Sequence, residues 1–142
     1  MKLTVLDGNA LNPGDLSWEP FREMFEVTVY DRTPAELVVQ RIGDSDAICL
    51  NKVVITEDIM NKCPNLKYIG VLATGYNVVD VEAARKKGIT VTNVPSYSTD
   101  AVAQHVFSFI TYFSNHIALH NDSVHNGGWV SSPDFSYWKS PL

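Results

Sequence analysis

The residues best suited to chemistry are Ala73, Thr74, Gly75 and Tyr76, at the end of the apolar run 68–72. In an open α/β sheet, ligands bind outside the carboxyl ends of the strands. A glycine at such an end lets bare backbone N–H groups approach an anion, since no Cβ stands in the way. A Cβ at Gly75 would intrude on the ligand, or resist a positive φ if the turn requires one. Asn51 and Lys52 close the apolar run 47–50 and direct a polar pair at the same edge. Asn93-Val94-Pro95 and Ser96-Tyr97-Ser98 complete a polar rim. The plain alternative for this edge is a tight turn flanked by solvated loops.

Other chemistries find less support. Gly70 and Gly75 have the spacing of a phosphate loop, but Tyr76 and Asn77 stand where Lys and Ser or Thr are needed. The Gly-x-Gly-x-x-Gly dinucleotide fingerprint and the Gly-x-Ser-x-Gly nucleophile elbow are absent. His116 and His120 share a helical spacing, but Ile117 occupies the position of the zinc-protease glutamate, so they read as ordinary histidines and no metal is expected. Cys49 sits in an apolar run and reads as core. Cys63 precedes Pro64 without an obvious base. A phosphoacceptor receiver would need Asp after the third strand and Lys after the fifth, where this sequence has Asn51 and Asn93-Val94-Pro95.

These residues need a frame, and the chain alternates strand and helix. Strands are predicted at 2–7, 27–30, 47–50, 68–72 and 89–92, apolar along their length, as in a sheet covered on both faces. A helix is predicted over 17–25, with Trp18, Phe21, Met24 and Phe25 on one side. Thr33-Pro34-Ala35-Glu36 reads as a capping box with proline at the first helical position, opening a helix to about Ile42 that ends at Gly43. Thr56 can cap a helix to Lys62, stopped by Pro64. Asp80 can cap 81–87, with Gly88 beyond its end. Right-handed βαβ units then give a flavodoxin-like open parallel sheet of five strands with helices on both faces. A long helix follows at 99–119.

Composition narrows the class. With 142 residues, 45% hydrophobic and 19% charged, the chain can bury a core and is not disordered. Its 11 basic and 16 acidic residues, net −5, argue against nucleic acid as the main partner. Two cysteines make no disulfide scaffold and read as reduced thiols of a cytoplasmic protein. No signal or membrane-spanning segment is visible. The helix 99–119 is apolar on most sides: Val102, Val106, Phe109 and Phe113 on one, Ala103, Phe107, Ile110 and Ile117 on others. Residues 120–142 show no period and carry Trp129, Phe135, Tyr137 and Trp138, an irregular arm. Helix and arm either fold back on the sheet or meet a second domain or subunit, and the second reading is favoured.

The stretch 70–109 resembles the D-isomer-specific 2-hydroxyacid dehydrogenases. The resemblance rests on Thr74-Gly75-Tyr76-Asn77-Val78-Val79-Asp80, Ala83-Ala84, Gly88 to Pro95, and Ala101-Val102-Ala103-Gln104-His105. Trp129, Ser132-Pro133-Asp134-Phe135 and Trp138-Lys139-Ser140-Pro141-Leu142 are similar to the glycerate dehydrogenase (hydroxypyruvate reductase) branch. The resemblance implies a substrate-binding domain over 1–98, and over 99–142 an interdomain helix and arm opening a nucleotide-binding domain. It implies an oxidoreductase using NAD or NADP, which reduces hydroxypyruvate or glyoxylate or oxidises D-glycerate, and a homodimer. Backbone amides at Thr74 and Gly75, beside Ala73, would hold the substrate carboxylate, with Asn51 and Lys52 at the distal end. Thr99 and Val102 would approach the nicotinamide. The family's fingerprint and its catalytic Arg, Glu and His are expected beyond Leu142, so none of these residues is catalytic and the piece alone is expected to be inactive. Gln104 stands where many members have Glu. A non-enzymatic, corepressor-like relative of the same fold is the alternative.

Overall fold

The computed structural model describes residues 1–134 and 136, and two compact units: 1–96 and 97–142. The first contains five parallel strands: β1 (Lys2–Val5), β2 (Glu26–Val29), β3 (Ala47–Leu50), β4 (Tyr68–Val71) and β5 (Thr90–Thr92). Their order is β2-β1-β3-β4-β5, the flavodoxin-like arrangement, and it reverses direction between β1 and β3. Four helices connect them: α1 (Glu19–Arg22), α2 (Val38–Ile42), α3 (Glu57–Lys62) and α4 (Val81–Lys86).

Right-handed crossovers put α1 on one face of the sheet and α2, α3 and α4 on the other. The two apolar clusters follow that division. Ile48, Leu50, Ile69 and Val71 pack with Val38, Ile42, Met60 and Ala84 on the three-helix face. Leu3, Val5, Ala47 and Cys49 pack with Trp18, Phe21 and Phe25 on the other. Alternate residues of β3 thus serve opposite faces, and all of β3 is buried.

Several expected helix ends are found. Thr56 Oγ1 accepts from the Ile59 amide at 3.4 Å, and Asp80 Oδ1 from the Ala83 amide at 3.0 Å. Gly43 and Gly88 follow their helices with positive φ, 53° and 71°. Others differ. Thr33 does not form a capping box: its hydroxyl donates to the Leu6 carbonyl and accepts from Arg41 Nη1 at 2.9 Å. Pro34 stays extended, at ψ 153°, before a 3₁₀ turn, Ala35–Leu37. The helix expected over 17–25 shrinks to α1, and Met24 is 66% exposed rather than packed with Trp18 and Phe21.

The second unit contains α5 (Thr99–Ser114), α6 (Ile117–His125) and α7 (Gly128–Ser131). The single helix expected over 99–119 therefore breaks. Asn115 Nδ2 and Ser114 Oγ both donate to the Thr111 carbonyl, and His116 takes a left-handed φ of 48°. Side chains thus compete with the helical ladder at this point. Much of the expected irregular arm is helical, through α6 and α7. Phe135, Tyr137 and the run from Trp138 to Leu142 lie outside the described residues. No residue of α5 is buried, and Phe107 and Phe113 are 65% and 68% exposed.

Candidate functional site

The carboxyl ends of β1, β3 and β4 meet at one edge. The Leu6 amide donates to the Cys49 carbonyl at 2.9 Å, and the Leu72 amide to the Leu50 carbonyl at 2.8 Å, so the three loops start side by side. This edge includes the direction reversal between β1 and β3, where α/β sheets open a crevice.

After β4, the Thr74 carbonyl accepts from Asn93 Nδ2 at 2.8 Å, and its hydroxyl donates to the Val94 carbonyl at 3.2 Å. The Ala73 carbonyl accepts from the Val94 amide at 3.0 Å. The carbonyls of Ala73 and Thr74 and the Thr74 hydroxyl are thereby taken up by Asn93 and Val94. The amides of Thr74 and Gly75 have no acceptor among the described residues. Gly75 is exposed and its φ is not left-handed. A Cβ there would meet only Asn77 Oδ1, at 3.4 Å. The open approach, and not a special backbone conformation, is what glycine provides. Two free amides beside a position without a side chain offer a pair of donors of the kind a carboxylate or similar anion accepts from.

After β3, Asn51 and Lys52 turn over a buried carboxylate. Asp7 Oδ1 accepts from the Asn51 amide at 2.8 Å, and Asp7 Oδ2 accepts from the Asn51 amide at 3.1 Å and the Lys52 amide at 2.6 Å. Asp7 is 5% exposed. Lys52 is exposed, and its ammonium has no carboxylate partner among the described residues. Asn51 Oδ1 is buried without a donor. The pairs Lys2–Asp44 and Lys67–Asp46 lie at the opposite, amino end of the strands.

The structure thus gathers Asn51, Lys52, Ala73, Thr74 and Gly75 along one edge of the first unit. Thr99 and Val102 occupy the first turn of α5 in the second unit, with Val102 exposed. Asp7 was not singled out as a site residue by the sequence, and Asn93 was named only as part of the polar rim. Asp7 read as the end of a strand, and its partners lie 44 and 45 residues away. The cysteines are unsuited to nucleophilic work: burial pushes the Cys63 thiol up and the Cys49 thiol to about 11. Among the described residues no group of three His, Cys, Asp or Glu side chains could hold a metal.

An open parallel sheet whose switch-point edge presents two free amides defines an α/β domain of the doubly wound class. Residues 8–130 match the D-isomer specific 2-hydroxyacid dehydrogenase catalytic domain, and the chain belongs to that family. It is 47% identical over 145 aligned residues to a hydroxypyruvate reductase of Blautia hydrogenotrophica, covering 100% of this chain and 45% of the relative. It is 33% identical to a glycerate dehydrogenase of Methylorubrum extorquens, covering 99% and 44%. Among solved structures it resembles an acyclic imino acid reductase in complex with NADPH and D-Arg. That match has a TM-score of 0.75 and 29% identity over 96% of this chain and 44% of that one. A D-lactate dehydrogenase from Aquifex aeolicus, 21% identical with a TM-score of 0.69 over 96% and 40%, shares the fold. The chain spans less than half the length of these relatives.

Proposed function

We propose that this chain is the substrate-holding part of an NAD(P)-dependent D-2-hydroxyacid dehydrogenase that reduces hydroxypyruvate or glyoxylate, or oxidises D-glycerate. The observation that carries the reading is the pair of free amides at Thr74 and Gly75, fixed from behind by Asn93 and Val94. In this reading the amides bind the 2-keto acid carboxylate and set the direction of its keto carbon. Asn51 and Lys52 meet the far end, where hydroxypyruvate carries a hydroxymethyl group and glyoxylate a hydrogen. Residues 1–98 form the substrate domain, and 99–142 open the nucleotide domain.

The described residues do not fit the dinucleotide's phosphates, because α5 begins at Thr99 without a glycine-rich turn before it. Only Thr99 and Val102 are assigned to the nicotinamide side. The cofactor supplies the hydride when bound. The residues of this chain bind, orient and desolvate the acid, and the proton donor and substrate-polarising arginine are assigned outside it. The enzyme is proposed to be a cytoplasmic homodimer.

The test is NADH and NADPH oxidation by the complete enzyme with hydroxypyruvate, glyoxylate and pyruvate. Turnover of hydroxypyruvate and glyoxylate is expected, with Lys52→Met raising KM for hydroxypyruvate more than for glyoxylate. No oxidation with any short 2-keto acid refutes the proposal.

A further inference from the structure

We infer that Asp7 is a positioning residue for substrate selection: its carboxylate sets the backbone of Asn51 and Lys52 and so aims the Lys52 ammonium at the far end of the 2-keto acid. The inference rests on the assignment of Lys52 to that end. A buried anion beside a site for an anionic substrate disfavours binding unless its charge is already engaged. Here it is engaged, because both oxygens accept from backbone amides, at 2.6 to 3.1 Å. The carboxylate satisfies the turn after β3 without pairing the lysine side chain, which stays available.

Asp7 is itself held on every side. Its carbonyl accepts from the Ala10 amide at 3.0 Å, and the following Gly8 amide donates to the Tyr30 carbonyl at 2.8 Å. The preceding Leu6 carbonyl accepts from Thr33. A Cβ at Gly8 would sit 2.7 Å from Val29 Cγ1, so the turn lies against β2 with no slack. The chain of contact therefore runs from β2 through Asp7 to the Lys52 amide. Replacing Asp7 by Asn keeps one oxygen, which can stand at the Oδ2 position, but sets an NH2 donor against the Asn51 amide at the Oδ1 position and removes the charge that both amides face. The loop then shifts, and Lys52 with it.

The experiment compares kcat/KM for hydroxypyruvate with kcat/KM for glyoxylate in the complete enzyme. The ratio does not depend on how much of a variant folds. Asp7→Asn, Asp7→Ser, Lys52→Met and the double variant Asp7→Asn/Lys52→Met are measured. Asp7→Asn and Lys52→Met are each expected to lower the ratio by about tenfold or more, the range for a lost charge-assisted contact. The double variant is expected to fall no further than Lys52→Met alone, because both changes remove one interaction. Mere removal of negative charge would ease both substrates alike and leave the ratio unchanged. If Lys52→Met lowers the ratio while both Asp7 variants leave it intact, or if the two effects multiply, Asp7 does not act through Lys52 and the inference is overturned. If Lys52→Met itself leaves the ratio unchanged, the placement of Lys52 at the substrate's far end is wrong, and the inference falls with it.

Discussion

Replacing Gly75 by valine separates folding from binding. The structure gives little reason for the protein to resist the change: φ is not left-handed, and the nearest obstacle to a Cβ is Asn77 Oδ1 at 3.4 Å, an ordinary contact. At so exposed a position the stability cost should stay within about 0.5 kcal/mol. Binding should suffer far more, because the side chain occupies the volume through which a carboxylate reaches the Thr74 and Gly75 amides. Each charge-assisted hydrogen bond contributes roughly 1.5–3 kcal/mol. Loss of one of the two, at about 1.4 kcal/mol per decade, raises KM at least about tenfold. Thermal unfolding and steady-state kinetics of the complete enzyme with hydroxypyruvate measure the two quantities together. The expected result is an unchanged Tm with KM raised tenfold or more. If Gly75→Val leaves KM unaltered while Thr74→Ala raises it, the amides do not hold the carboxylate, and Lys52 becomes the first alternative to test.

Thr74→Ala should change KM by less than about threefold, since its hydroxyl is spent on the Val94 carbonyl, whereas Asn93→Ala, which frees the Thr74 carbonyl, should raise KM by about threefold to tenfold with kcat less affected. Cys49 should resist thiol reagents at pH 8 and react as the protein unfolds. Burial raises its folded value, so its contribution to stability is intact below its ordinary value of 9.0 and lost as pH rises through about 11. Cys49→Ala should flatten that alkaline decline, and equal slopes in both proteins would refute the assignment. Residues 1–142 alone should bind NADH weakly or not at all by calorimetry. They should self-associate in sedimentation through the exposed apolar residues of α5, and a clean monomer at high concentration would contradict the latter.

The sheet was legible because its central strands β3 and β4 are apolar runs and two of the crossovers open on a local cap, although the edge strands β2 and β5 alternate exposed and half-buried residues rather than being covered on both faces as expected. Thr56 and Asp80 cap helices through bonds of three residues' reach. The misreadings share a cause, competition from partners distant in sequence or from unmarked side chains. Thr33 is diverted from its cap by the Leu6 carbonyl, 27 residues away. The break after α5 contains neither Gly nor Pro, and only the side-chain amide of Asn115 and the hydroxyl of Ser114 signal it. The candidate edge was legible through Gly75, Asn51 and Lys52. Asp7 was not, since the bonds that give it a role cross from the loop after β1 to the turn after β3. How the second unit's apolar surface is covered had no answer in periodicity, because a helix apolar on most sides names no single partner.

The burial of β3 and β4 under both apolar clusters also bears on the timescale of the site. Backbone amides in the best-packed strands open only with the whole domain, while edge strands and exposed helices open locally and often. β2, with alternating exposed and half-buried residues, and β5, paired only to β4 among the described residues, belong to the second class. The loops bearing Asn51, Lys52, Thr74 and Gly75 spring from the first. In the proposed reading, an anion meeting these amides would find them on loops that spring from the best-packed strands of the sheet, with less ordering entropy to lose on binding.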